Sequence, residues 1–111
     1  MEKKSATLEI KGTEYAFLVD DLNNPDLKNN DGICKLWAKE ICIRDVPYMD
    51  GEREDIQRKH YEHVTRHELI HAIAEECGVG YGDDEALVDW IAHIIPHINK
   101  AMEELKEAGV I

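Results

Sequence analysis

The stretch RHELIHAIAEECG, residues 66–78, decides how the rest of the chain is read. His67 and His71 stand four residues apart, Glu68 follows the first histidine, and Gly78 ends the run. Leu69, Ile70, Ala72, Ile73 and Ala74 favour a helix and are expected to keep it buried. Residues four apart lie one above the other on a helix, so both imidazoles can reach a single metal ion. Glu68 sits about 100° round from His67, close enough to reach a water held by that ion. Zinc lowers the pKa of such a water towards about 7, and a carboxylate can then take its proton. The plainer reading of the same residues is a pair of hydrogen-bonded histidines on a half-apolar helix.

A catalytic zinc takes three protein ligands and leaves one position for water. One known continuation of this motif places a glycine and a third histidine further along. Here those positions hold Ala74 and Cys77, and an unbroken helix would carry Cys77 away from the metal. The other arrangement brings a glutamate from a second helix. VGYG, residues 79–82, reads as a turn, Asp83 or Asp84 as a cap, and Glu85 as the start of that helix. Glu85 and Asp89 are four apart and face the same way. One can ligate while the other accepts a hydrogen bond from a ligand imidazole and fixes its tautomer. A glutamate at a helix N-terminus is also favoured by the helix dipole alone. Tyr81, in the turn, is the candidate donor to an oxyanion, with a half-buried turn aromatic as the simpler alternative.

The helical period extends in both directions. Ile56, His60, Val64, His67, Ile70, His71 and Ala74 recur at threes and fours, which predicts a helix over 52–77 with an acidic first turn. The second helix should run from Glu85 to Gly109, kinked or split at Pro96, with Val88, Ala92 and Ile95 turned to the core. His63 and His67 form a rival metal pair, but no glutamate follows His63 to act as a base. His93 is expected at the surface or behind the ligands, and His97 exposed. Trp37 and Trp90 are expected in the core. The tail NKAMEELKEAG reads as a solvated amphipathic helix.

Ahead of residue 52 the period is two. Residues 6–19 alternate on both sides of Lys11-Gly12-Thr13, predicting two strands and a tight turn. Residues 20–32 form a loop whose NNDG end does not match a calcium-binding loop, because the first ligand position would be Leu27. Residues 33–45 predict a second hairpin turning near Ala38-Lys39, with Pro47 closing the sheet region. The expected fold is α+β: a short antiparallel sheet of two hairpins, the motif helix, and a Pro-kinked C-terminal helix, in one domain over residues 1–111.

Composition narrows the partners. A chain of 111 residues holds one modest core. Its net charge of -11 argues against nucleic acid and against an anionic membrane surface, since both need clustered Lys and Arg. The start MEKKSATLEIKG lacks the apolar segment of a signal peptide. Cys34, Cys42 and Cys77 are an odd number without a pairing pattern, so they are expected as reduced thiols. A cytoplasmic monomer is the expectation.

HELIH followed by EALVD resembles the gluzincin branch of the zincin metallopeptidases, whose thermolysin-like members carry E-x-x-x-D on the second helix. Residues 66–93 also resemble small HExxH proteins of bacteriophages and mobile elements and the ImmA/IrrE-type peptidases. The resemblance covers about a quarter of the chain. It implies that His67, His71 and Glu85 bind one Zn2+ per chain, that Glu68 is the general base, and that Asp89 supports a ligand histidine. It further implies a sheet whose edge strand pairs with an extended peptide. The chain is far smaller than thermolysin-like enzymes and lacks room for a large substrate lobe, so the expected activity is hydrolysis of a restricted protein substrate. The alternative is a non-catalytic module stabilised by zinc, its acidic surface meeting a basic partner.

Overall fold

The computed structural model describes residues 4–20, 25–27, 30–45, 51–80 and 82–111. The fold is α+β: a four-stranded sheet followed by two long helices. Strands β1 (Lys4–Ile10) and β2 (Thr13–Asp20) pair antiparallel, with Leu8 opposite Tyr15 and Ile10 opposite Thr13. The two turn residues, Lys11 and Gly12, both have positive φ, 49° and 87°. That geometry matches the right-handed twist of the strands it joins. Strands β3 (Gly32–Lys35) and β4 (Glu40–Arg44) form the second hairpin.

The hairpins do not join into a wholly antiparallel sheet. The order is β1-β2-β4-β3, and β2 runs parallel to β4, from Ala16 opposite Glu40 to Asp20 opposite Arg44. The reason lies in β4. Ile41, Cys42 and Ile43 are all fully buried, so both faces of that strand are covered. A strand apolar on both faces belongs at the centre of a sheet. Placing β4 inside leaves β3 at the edge and makes the seam parallel.

Helix α1 (Glu54–Cys77) crosses one face of the sheet. Val64 and Ala72 join Ile10, Tyr15, Ile41 and Ile43 in the main core. Ile70, on another side of α1, packs with Val88 and Ala92 of α2 (Glu85–Glu107), flanked by Ile91 and Ile95. Ile73, expected inside, is exposed. Gly78 ends α1 in the left-handed region, and the Val79 N–H reaches back to the Ala74 carbonyl. The C-terminal end of α1 is pinned to the sheet through Glu76. Thr13 Oγ1 and Tyr15 Oη each donate to its carboxylate at 2.6 Å, and Lys39 Nζ donates at 3.0 Å. These donors hold Glu76 well below its ordinary pKa, at about 2.

Pro96 does not split α2, which runs on to Glu107. A proline supplies no N–H to the carbonyl four residues back, here Ala92. Arg66 Nε of α1 donates to that carbonyl at 3.1 Å. The defect in one helix thus becomes a contact with the other. Trp37 and Trp90, expected in the core, are 81% and 59% exposed. Trp37 lies in the turn between β3 and β4, and Trp90 on the face of α2 turned away from α1. Pro47 lies outside the described residues. No helix among the described residues is long and apolar enough to cross a membrane.

Candidate metal centre

His63, His67 and His71 recur every four residues and form a stripe on α1. It lies between the side facing the sheet and the side facing α2, and it lines a cleft of about 570 Å³. Gly32 and Cys34 of β3 form one wall, and Glu85 and Asp89 of α2 form the other. Two backbone features set the walls. Asp84 caps α2 by accepting from the Leu87 N–H at 3.0 Å, which puts Glu85 in the first turn beside the stripe. Gly32 lets β3 press against α1: a Cβ there would stand 2.8 Å from Val64 Cγ1 and 3.0 Å from Glu68 Cγ.

His67, His71 and Glu85 converge. The Nε2 atoms of the two histidines are 3.3 Å apart. Glu85 Oε2 is 2.8 Å from His67 Nε2, and Oε1 is 3.0 Å from His71 Nε2. The opposite ring atoms are engaged elsewhere. His71 Nδ1 donates to the Gly82 carbonyl at 2.6 Å, and His67 Nδ1 lies 3.3 Å from Asp89 Oδ1. A carbonyl only accepts, so His71 carries its proton on Nδ1 and its Nε2 is a bare lone pair when the ring is neutral. Asp89 imposes the same tautomer on His67. Two lone pairs and a carboxylate then face one point, an arrangement that repels unless a cation or extra protons occupy it. Ligands about 2.0–2.1 Å from a tetrahedral zinc stand about 3.3 Å from each other. Two imidazoles and one carboxylate, with the rear nitrogens tied to a carbonyl and a second carboxylate, therefore suit Zn2+.

The charges agree with this geometry. With extra protons on the two rings in place of an ion, burial would raise the pKa of Glu85, but hydrogen bonds and positive charge from His67 and His71 outweigh it and hold the carboxyl below its ordinary value. Asp89 is also held low, chiefly by its 2.7 Å bond from His63 Nε2. Glu68 goes the other way. It is only 8% exposed, and burial raises its pKa despite the two neighbouring histidines. Cys34 in the β3 wall is raised to about 12, first by burial and then by the charge of Glu68, so it stays a thiol.

Of the residues singled out in the sequence, His67, Glu68, His71, Glu85 and Asp89 all line this cleft. Cys77 is exposed at the end of an unbroken α1. Tyr81 lies outside the described residues. His97 is exposed. His63, the rival partner for His67, shares Asp89 Oδ1 with it and groups with Asp89 and His93. The Gly82 carbonyl and the β3 wall were not read from the sequence, because a backbone acceptor and a close strand leave no side-chain signal. Asp31 and His60, hydrogen-bonded at 2.8 Å, line the same cleft from its far end. Compared with protein-family models, with curated proteins and with solved structures, the chain has no significant match.

Proposed function

We propose that the chain is a small zinc-dependent peptidase acting on a restricted protein substrate. The observation that carries the reading is the convergence of His67 Nε2, His71 Nε2 and the Glu85 carboxylate on one point of an open cleft, with Glu68 beside them. His67, His71 and Glu85 would hold the zinc, which would supply a Lewis acid for a carbonyl and acidify a water. Glu68 takes the proton of the attacking water and returns it to the departing amine. Its raised pKa suits a base that must also give the proton back. Asp89 and the Gly82 carbonyl keep His67 and His71 in the ligating tautomer. β3 is the edge of the sheet at the cleft, and a peptide laid along it would be held extended by backbone hydrogen bonds.

The second reading, a zinc-stabilised interaction module, draws support from the apolar residues Ile98, Met102 and Leu105 left exposed along α2. Glu68→Gln separates the two. In the peptidase this variant keeps one zinc at the His67 site and wild-type stability, yet loses hydrolysis of a peptide library by at least about 100-fold. Unchanged cleavage by the variant rejects Glu68 as the base. Absence of cleavage by the wild-type protein across the library, with zinc bound, favours the module.

A further inference from the structure

Asp89 has more imidazole around it than the first site requires. Holding His67 takes one of its oxygens and one ring nitrogen. Two further rings approach the same carboxylate, His63 at the oxygen that His67 uses and His93 at the other. His63 Nε2 lies 2.7 Å from Oδ1, and His93 Nε2 lies 3.6 Å from Oδ2. The rings of His63 and His93 lie against each other, with centroids 4.2 Å apart and planes tilted by 32°. One ligand atom from each of His63, Asp89 and His93 lies within 4.8 Å of the others.

Hydrogen bonding accounts for this arrangement incompletely. A separation of 3.6 Å is too long for a hydrogen bond, so His93 is not held to Asp89 by one. It is close to the spacing of two donors on a single ion with bonds of about 2.0–2.1 Å. His63 Nδ1 is buried without a partner, which leaves Nε2 as the ring atom through which His63 makes its polar contact. Two imidazoles beside an ionised carboxylate, in a chain of net charge -11, form a donor set and a local field that attract a divalent cation.

We propose that His63, Asp89 and His93 form a second site for a divalent cation of the zinc type, sharing Asp89 with the His67 side of the first. His93 is 67% exposed on its side chain, so the ion enters from solvent and the open position is filled by water. Its ligands are distinct from His67, His71 and Glu85, so it can fill without the first being occupied.

The test is to strip the full-length chain of metal, add Zn2+ alone at low-micromolar concentration, and count bound ions by native mass spectrometry. Wild type is expected to take two. His93→Ala and Glu85→Ala are expected to take one each, and the double variant none. His93 is exposed, so its replacement leaves the fold in place, which far-ultraviolet circular dichroism checks. Equal zinc counts in His93→Ala and wild type overturn the proposal. A loss in Glu85→Ala that His93→Ala does not show speaks for the first site only and likewise overturns it. A loss in His93→Ala without one in Glu85→Ala upholds the second site while rejecting the first. As a second readout, zinc added to Glu85→Ala should shift the ring nitrogen resonances of both His63 and His93. Unmoved resonances also overturn the proposal.

Discussion

Removing the proline should make Arg66 dispensable. Arg66 Nε donates to the Ala92 carbonyl because Pro96 leaves that carbonyl without its helical partner. Ala92 is fully buried, so loss of the arginine strands a buried acceptor. A hydrogen bond from a charged donor is worth about 1.5–3 kcal/mol. Arg66 is half-buried, which places Arg66→Ala at the lower end, near 2 kcal/mol of destabilisation. Pro96→Ala restores the N–H and relieves a mid-helix proline, whose intrinsic cost is about 3 kcal/mol. The restored N–H then competes with Arg66 for one carbonyl, so the two gains are not independent. In the Pro96→Ala background, Arg66→Ala should cost about 0.5 kcal/mol, for the lost packing of its stem alone. The coupling between the two positions is therefore about 1.5 kcal/mol. Urea unfolding of the four proteins, metal-free in chelator, measures it, provided the m-value is unchanged. Additive effects to within about 0.5 kcal/mol would refute the claim that Pro96 creates the Arg66 contact.

Gly32→Ala should destabilise by about 1–3 kcal/mol in the same assay, because its Cβ meets Val64 at 2.8 Å, Glu68 at 3.0 Å and Ile43 at 3.1 Å; a change under about 0.5 kcal/mol would show that β3 moves off α1 freely. Glu76, whose folded pKa of about 2 lies below its ordinary 4.5, contributes stability that is fully present above about pH 4.5 and is lost as pH falls towards 2. Glu76→Gln should accordingly flatten the fall in thermal stability across that window, and an unchanged acid slope would contradict the assignment. Asp89→Asn, made in His93→Ala to leave a single site, should weaken zinc binding about 10–100-fold by loosening His67. Undiminished affinity in a chelator competition would show that Asp89 does not orient the ligand.

The parts of the fold carried by local signals were legible in the sequence. Lys11-Gly12 between alternating residues specifies the first hairpin, and Gly78 and Asp84 mark where one helix stops and the next begins. The grouping of His67, His71, Glu85 and Asp89 was legible for the same reason, since each pair follows from helical spacing and a short connection. Relations between distant segments were not. Two hairpins do not say which of their strands will meet, so the parallel seam of β2 with β4 emerged only once the burial of Ile41, Cys42 and Ile43 was known. Pro96 reads as a break within its own helix, and its remedy, Arg66, comes from another. The exposed Trp37 and Trp90 show that residue type alone predicts burial poorly when the position is a turn or the outer face of a helix. His63 and His93 carry no shared motif, because their meeting depends on how α1 and α2 lie side by side.

The separation of the two apolar clusters has a consequence for the cleft. The sheet and α1 share the larger one, while α2 is held to α1 by the small set of Ile70, Val88 and Ala92 with Ile91 and Ile95. Among the described residues, the polar bonds between the helices are Arg66 with Ala92, outside the cleft, and within it Glu85 with His67 and His71 and Asp89 with His63 and His67. The groups that would grip an ion are thus the groups that dock one helix on the other. By thermodynamic reciprocity, whatever a cation bound in this cleft gained it would return as attachment of α2, and free-metal concentration would then set how firmly the second helix is moored.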